Sequence, residues 1–571
     1  AARLLDLYGD PQRIPGDIYA EQPDSAVADL AHLASARRAT PAVNLNGFGL
    51  AIAQSPEEKP SHALWMYYGR NSGHGHRDRL NIGLYAKNLD LLPDLGYPEY
   101  ASGRPMDVIW ERNSIAHNVV IVDDQPQRSS YTGHLRLLEG QGRAQVIEVE
   151  SPEVFASAKT YRRLSALIQA GPGEAYVVDL FRVVGGSLHR QSWHGPAATA
   201  TAHGLRLTPQ SKGTFAGEEV AFGQLPEKWK GSPGYMYLYD VRRDANPPAL
   251  FSLDYKAEDR RKRIAAGAEP HLRLTCLTAC AEVALAHGNP PHNKSGNPRQ
   301  LDYAVLTRRG QDLQSLFATI VEPYDKTPII RQVRALRVLS ETPDPLAAAI
   351  EVTLADGRVD TILSCPEPAR LAVEGNVTLE GTFGIVARRG AKVEFAKLVA
   401  GTRLVAAGID LRCPAAFVSG KVLALSAEKP DDNFLVASLS QEAETGLVGR
   451  LAIVANDAAQ DAAYTIRELS PRPEGWKIGL GDSTRIVYGM IRNVDNNFGR
   501  VRAALQEFGL EDNTLLIFTS DNGPCSGSQP VDRHMAGLHG LKGTVYENGI
   551  RVPCFMRWPA GFKSPSQVTR L

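Results

Sequence analysis

Two periodicities divide the chain. Near the start, "DSAVADLAHLASARR" places Val27, Leu30, Leu33 and Ala34 on one face of a helix, with Asp24-Ser25 as its N-cap. From about residue 60 the apolar positions alternate in short runs broken by Gly, Pro and Asn. "NIGLYA", "HNVVIVDD", "AQVIEVES", "AYVVDLFRVV" and "AAIEVTLADG" read as strands. "VDDQP" and "LADGRV" supply turn chemistry between them. Strands at such short intervals predict a large antiparallel β-sandwich over residues 56–370, after a partly helical segment at 1–55.

A second run of strand and turn text, "RLAVEGNVTLEGTFGIVARRG" and "GKVLALSAEKPDD", predicts a smaller β domain at 371–475. "ELSPRPEGW" reads as a linker. The texture then changes. "YGMIRNVDNNFGRVRAALQEFG" is an amphipathic helix with Met490, Val494, Phe498, Val501 and Leu505 on one side. "NTLLIFTSDNG" follows as a buried strand ending in a polar turn, so residues 476–571 read as an α/β fragment. The whole is mainly β.

The length, 571 residues, fits three or four domains at roughly 150 residues each. Basic and acidic side chains balance at 63 each, which gives no global electrostatic case for a nucleic-acid partner. No stretch approaches the roughly 18 uninterrupted apolar residues of a membrane span. No secretory signal is visible in the opening "AARLLDLYGD". The six cysteines form no CxxC pair, so a disulfide scaffold is not expected.

The densest chemistry lies in "NSGHGHRDRL", where His74, His76 and Asp78 occupy alternate positions. In an extended run these three would share a face. Imidazole and carboxylate suit zinc, and Asp94 and His117 lie on later segments able to return to the same place. Spacing alone leaves open a set of hydrogen-bonded surface histidines.

The run "GHGHRDRLNIGLYAKNLDLLPDLGYPEY", then "RNSIAHNVVIVDDQPQ", "YRRLSALI", "AYVVDLFRVVGG" and "HRQSWHG", resembles the heparinase II/III-like polysaccharide lyases over roughly residues 20 to 370. The resemblance implies an α/α toroid ahead of a large antiparallel sandwich, with the active site in the cleft between them. It implies that His76, Asp94 and His117 hold a structural zinc. His74 would face the substrate as a catalytic residue, turned from His76 by a bend at Gly75. Asp78 reads as support beside the ligands.

Family lyases cleave acidic, uronate-containing polysaccharides by β-elimination, which asks for charge neutralisation at the uronate carboxylate and for acid–base work at C5 and O4. Arg112 would pair with a substrate carboxylate or sulfate, or with a structural partner. Tyr97, like Tyr67, Tyr68 and Tyr100, reads as a packing or sugar-stacking aromatic. His189 and His194 read as structural. About 55 residues precede the sandwich text, fewer than a toroid needs, and no toroid tyrosine motif is recognisable. A short helical remnant is therefore expected.

"DNTLLIFTSDNGP" and "GLHGLKGTVYENGIRVPCFMRWPAG" resemble the type I sulfatases of the alkaline-phosphatase superfamily over about residues 484 to 565. The resemblance implies calcium ligands at Asp521 and Asn522 and a sulfate contact at Lys542. The nucleophile motif Cys-x-Pro/Ala-x-Arg is not found, since "CPEPAR" at 365–370 has the wrong spacing. The expectation is a lyase on an acidic, sulfated polysaccharide, working in the periplasm or outside the cell. The alternatives are a sulfatase without its nucleophile half and a carbohydrate-binding fragment without catalysis.

Overall fold

Strands Thr160–Gly171 and Glu174–Val184 form the centre of the largest sheet, and both of their faces are buried. That explains their near-continuous apolar text. In the computed structural model the described residues are 42–45, 48–55, 61–71, 75–94, 110–130, 133–224, 233–258, 263–290, 298–426, 434–440, 447–455, 462–480, 488–521 and 547–562. The chain forms two compact units, Ala1–Asp482 and Ser483–Leu571.

The first unit is antiparallel β throughout its described sheets. An eight-stranded sheet runs Thr201–His203, Leu250–Lys256, Pro270–Leu277, Gln314–Asp325, Glu174–Val184, Thr160–Gly171, Ala144–Glu150, His134–Glu139. A six-stranded sheet runs Thr208–Pro209, Tyr239–Asp244, Glu282–Gly288, Leu301–Arg309, Leu188–His194, Val120–Val122. The two share one core, to which Val177, Phe181, Leu274, Trp193 and Leu306 all contribute. A five-stranded meander, Val43–Leu45, Leu50–Gln54, Ala63–Tyr67, Ile82–Ala86 and Leu89–Asp90, adds Leu64, Met66 and Leu84 to that core.

The alternation of side chains puts Tyr176, Val178 and Leu180 on the opposite face of the large sheet. There they pack on Ile350, Val352, Ile362 and Phe383 of a further six-stranded sheet spanning Ile330 to Arg412. This seam is also polar. The Tyr176 hydroxyl donates to Asp360 at 2.6 Å, and Arg358 grips the same carboxylate at 2.8 and 2.6 Å. The Arg-Arg pair of "YRRLSALI" divides between the two faces. Arg162 turns to this seam and donates to Glu150 at 2.8 Å, while Arg163 enters the sandwich core.

Several expectations are corrected. Residues 43–45 and 50–54, within the segment expected to be partly helical, are strands, because "VNL" and "LAIAQ" are alternating text. Gly49 sits between them at φ +78°, where a Cβ would lie 2.2 Å from the Gly69 Cα. The helix expected over Asp24–Arg38 lies outside the described residues. The expected boundary at 370 falls inside strand Arg358–Val373, so the sheet at 330–412 is one body crossing it. "ELSPRPEGW" is no linker. It is the hairpin of strands Ala462–Arg472 and Gly475–Leu480, its Pro-Glu pair making the turn.

In the second unit the helix Tyr488–Glu507 forms as its pattern predicts. Strand Leu516–Thr519 pairs antiparallel with Cys554–Arg557. Phe518 packs on Phe498 at 5.4 Å between ring centroids. The strand is not buried: Ile517 is 48% exposed, because the only strand paired with it among the described residues is this one partner. Its continuous apolar run resembles that of a sheet covered on both faces. The described cysteines are all free, and no described helix is long and apolar enough to cross a membrane.

If the polar seam holds the two sheets together, Tyr176→Phe leaves part of a buried carboxylate unsatisfied. Its unfolding free energy is expected to fall by about 1–3 kcal/mol in a urea titration. An unchanged midpoint would show that the seam is held by apolar contacts alone.

Candidate metal centre

Two loops and a strand end build the site. The first loop, 75–81, joins strands Ala63–Tyr67 and Ile82–Ala86 and is not itself a strand. The shared-face argument for alternate residues therefore does not apply to it. The second loop carries two short 3₁₀ turns, Trp110–Arg112 and Ser114–Ala116, and ends at His117 before strand Val120–Val122. Asp94 follows the meander's last strand, Leu89–Asp90.

The loops interlock through main chain. The Arg77 N–H donates to the Arg112 carbonyl at 3.2 Å, and the Arg112 guanidinium donates to the Gly75 carbonyl at 3.1 Å. The Asn118 N–H donates to the Asn81 side chain at 3.1 Å. Gln127 accepts from the Arg79 N–H at 2.8 Å and donates to its carbonyl at 3.0 Å.

The result gathers His76, Asp78, Asp94 and His117, each offering one ligand atom within 4.8 Å of the others. Asp94 Oδ1 lies 3.2 Å from His117 Nδ1 and 3.8 Å from His76 Nδ1. The two imidazole rings are 5.2 Å apart. His117 Nε2 lies 2.8 Å from the Glu111 carbonyl, which can only accept. That nitrogen therefore carries the proton and Nδ1 faces the cluster, the arrangement that orients a metal-binding histidine.

The charges are strongly coupled. Burial pushes the Asp78 carboxyl up to about 7, against the pull of His117. Burial also acts to raise Asp94, but the charges and hydrogen bonds of His117 and His76 outweigh it and hold that carboxyl well below its usual range. Burial acts to lower His117, and the Asp94 carboxylate overrides it, so this histidine holds its proton more tightly than usual. Burial lowers His76, with Asp94 opposing. Asp78 Oδ1 is buried with no hydrogen-bond partner among the described residues. Two imidazole nitrogens and two carboxylates around an unsatisfied oxygen form a donor set that fits zinc.

A buried ion pair fixes both loops from below. Arg163 Nε and Nη2 donate to Asp179 at 2.8 and 2.9 Å, and both side chains are 0% exposed. Ser165 donates to the same carboxylate at 2.6 Å. The remaining Arg163 nitrogen, Nη1, donates to the carbonyls of Leu80 at 2.8 Å and of Asn118. Leu80 follows Asp78 by two residues and has φ 68°, a conformation that costs a branched residue about 1 kcal/mol or more. Asn118 directly follows His117. One guanidinium thus ties together the two loops that carry three of the four clustered side chains.

The placement of the other candidates is mixed. His74, Tyr97, Asn522 and Lys542 lie outside the described residues, as does Tyr100. Arg112 is 8% exposed and serves the first loop through the Gly75 carbonyl. Asp521 is an exposed residue just past strand Leu516–Thr519. Burial pushes the Tyr67 hydroxyl up to about 12, with Asp78 adding, and that hydroxyl donates to the Arg70 carbonyl at 2.8 Å.

His189 is held between Ser315 and the Gly185 carbonyl at 2.8 and 2.7 Å, a structural use. His194 is fully buried, pushed down to about 4 chiefly by burial, and its ring is tilted against that of Tyr303 at 5.1 Å between centroids. Asp78's place among the ligand atoms and the Arg163–Asp179 pair were not read from sequence. The signal was present: an Arg and an Asp inside otherwise apolar strand text demand a buried partner.

Comparisons with known proteins match two stretches of the chain. Residues 66–200 match the family model "Heparinase II/III-like, C-terminal", which contains all four clustered residues. Residues 452–570 match the "Sulfatase" family model. The chain therefore joins a heparinase II/III-like stretch to a sulfatase-like stretch. Similar solved structures are the heparan sulfate lyase HepC of Pedobacter heparinus, at 14% identity and TM-score 0.39, and a heparinase III, at 11% and 0.37. HepC aligns over 63% of this chain and 46% of its own, and heparinase III over 62% and 46%.

Mouse steryl-sulfatase is 42% identical over 94 residues, 15% of each chain. An N-acetylgalactosamine-6-O-sulfatase of Bacteroides thetaiotaomicron is 36% identical over 106 residues, 17% of this chain and 20% of its own. The match thus spans at most about a fifth of these curated relatives.

Arg163→Met leaves Asp179 charged and alone in the core, and is expected to cost about 3–5 kcal/mol of unfolding free energy. Arg163→Met with Asp179→Leu is expected to recover much of that in the same chemical denaturation series. A single variant as stable as the parent would show that the pair is not a determinant of the fold.

Proposed function

We propose that this chain carries the sandwich portion of a polysaccharide lyase, which cleaves a uronate-containing, sulfated polysaccharide by β-elimination. The observation that carries the reading is the convergence of His76, Asp78, Asp94 and His117 inside the stretch that matches the heparinase II/III-like family. In β-elimination the C5 proton leaves, the C4–O4 bond breaks and a C4–C5 double bond forms. A bound zinc would supply fixed positive charge and rigidity. His76, Asp94 and His117 would hold it, with Asp78 as a further oxygen donor in place of the supporting role its sequence position suggested.

The protein's own residues do the rest. The Glu111 carbonyl fixes the His117 tautomer, and Arg112 braces the peptide at Gly75. His74, the residue before Gly75, is the acid–base candidate that the family resemblance gives. The sulfatase-like stretch favours a sulfated substrate, by association rather than by contact. Such a polysaccharide is met in the periplasm or outside the cell. The second reading is the C-terminal part of a sulfatase that lacks its nucleophile half, with calcium at Asp521 and Asn522, and it rests on the sulfatase match alone.

Two measurements test this. The full chain is expected to retain about one zinc per molecule after dialysis, by elemental analysis, and Asp94→Asn or His117→Ala to lose it. Arg163→Met with Asp179→Leu is expected to weaken zinc binding by about 10–100-fold while staying folded. Zinc content indifferent to Asp94→Asn contradicts the site.

Mixing the chain with heparan sulfate, chondroitin sulfate, hyaluronan, alginate and ulvan is expected to raise near-ultraviolet absorbance with at least one, and His74→Ala to abolish the rise. No rise with any of the five, alongside sulfate release from a chromogenic ester, would favour the sulfatase reading. Saturable binding without either product would favour a non-catalytic module.

A further inference from the structure

A cleft of about 400 Å³ lies between the edge strand His134–Glu139 of the eight-stranded sheet and a five-stranded sheet. That second sheet spans Gly420 to Leu480, and its own edge strand, Leu451–Val454, contacts the first. His134, Arg136 and Glu150 line one side, and Phe417 and Ile453 the other.

The polar side is built by a β-bulge. Leu135 pairs with Val149 and Leu137 with Glu148, which leaves Arg136 as the extra residue. The bulge sends Leu135 into the sandwich core and Leu137 into the core on the other face of the same sheet. Without it the two leucines would share a face, so the irregularity re-aims the strand and presents Arg136 at the edge. Arg136 is 42% exposed and lies 3.7 Å from Glu150 and 3.4 Å from Glu367. Glu150 is the cross-strand partner of His134 and is fixed from beneath by Arg162 at 2.8 Å. The carboxylate is therefore held in one orientation, with a planar guanidinium beside it.

The apolar side is unusual for its exposure. Phe417 is 54% exposed and Ile453 is 42% exposed, both facing the charged wall. An aromatic face opposite a fixed carboxylate and an arginine fork matches the two surfaces of a sugar ring, apolar C–H groups on one side and hydroxyls at the rim. Hydroxyls both donate and accept, so they satisfy a guanidinium and a carboxylate together. The charges here balance, Arg136 and Arg162 against Glu150 and Glu367, so recognition would not depend on an anionic group. We infer that this cleft is a second glycan-binding site, which takes a pyranose ring stacked on Phe417 with its hydroxyls on Glu150 and Arg136. It shares no residue with the His76 cluster and does not rest on the lyase reading.

The test titrates the full chain by calorimetry with heparosan, chondroitin and alginate hexasaccharides, in parallel with Phe417→Ala, Arg136→Ala and Asp94→Asn. At least one hexasaccharide is expected to bind saturably, about tenfold more weakly to Phe417→Ala and severalfold more weakly to Arg136→Ala. Both variants alter exposed side chains, so their unfolding midpoints should match the parent's. Asp94→Asn should bind as the parent does, which separates this cleft from the His76 cluster. Binding lost in Asp94→Asn but kept in Phe417→Ala would overturn the inference, as would the absence of saturable binding with all three.

Discussion

Arg163 and Asp179 form the constraint on which the site depends. A guanidinium at zero exposure must be fully satisfied or the fold loses several kcal/mol. Here the satisfaction comes from three directions. Asp179 takes two of the nitrogen donors from the neighbouring strand, and the Leu80 and Asn118 carbonyls take the third nitrogen from two separate loops. The ring of Trp193 lies 5.1 Å from the guanidinium and that of Phe181 5.0 Å, closing its faces. The requirement to pair one buried charge therefore fixes the position of Leu80 and Asn118. Asp78 and His117 follow, because each is within two residues of a tethered carbonyl.

The same logic explains why the site can hold like-charged groups so close. Asp78 is buried, and Asp94, whose side chain is 27% exposed, sits beside it and two imidazoles. Such a cluster is costly unless something positive shares it. Without a cation, a second proton on His117, at Nδ1 and held against burial by the Asp94 carboxylate, supplies part of that charge. The unpaired Asp78 oxygen marks where more is needed, and a divalent cation would displace that proton and meet the oxygen.

Much of this was legible in the sequence, for physical reasons. Strands with one wet face alternate, and the turn "VDDQP" carries Asp residues that accept positive φ, as Asp123 and Asp124 do. His76, Asp94 and His117 were named from the family resemblance of the text around them, since spacing alone left hydrogen-bonded surface histidines open, and the structure brings the three together. What was illegible depends on long-range partners. Leu137 and Leu135 look equivalent in the text, and only the bulge sends them to different cores. "ELSPRPEGW" has linker composition, and only its pairing makes it a hairpin. "TLLIF" has the composition of a strand covered on both faces, whereas its described surroundings cover only one. Cleft residues such as Phe417 carry no motif at all.

We propose that two loops tied by one arginine deliver two imidazoles and at least one carboxylate to a single cation. X-ray absorption at the zinc edge of the zinc-loaded full chain tests it most directly. The account predicts two imidazole nitrogens at about 2.0–2.1 Å with the remaining ligands oxygen, and no sulfur. A spectrum without imidazole scattering, or one with thiolate ligands, would contradict it.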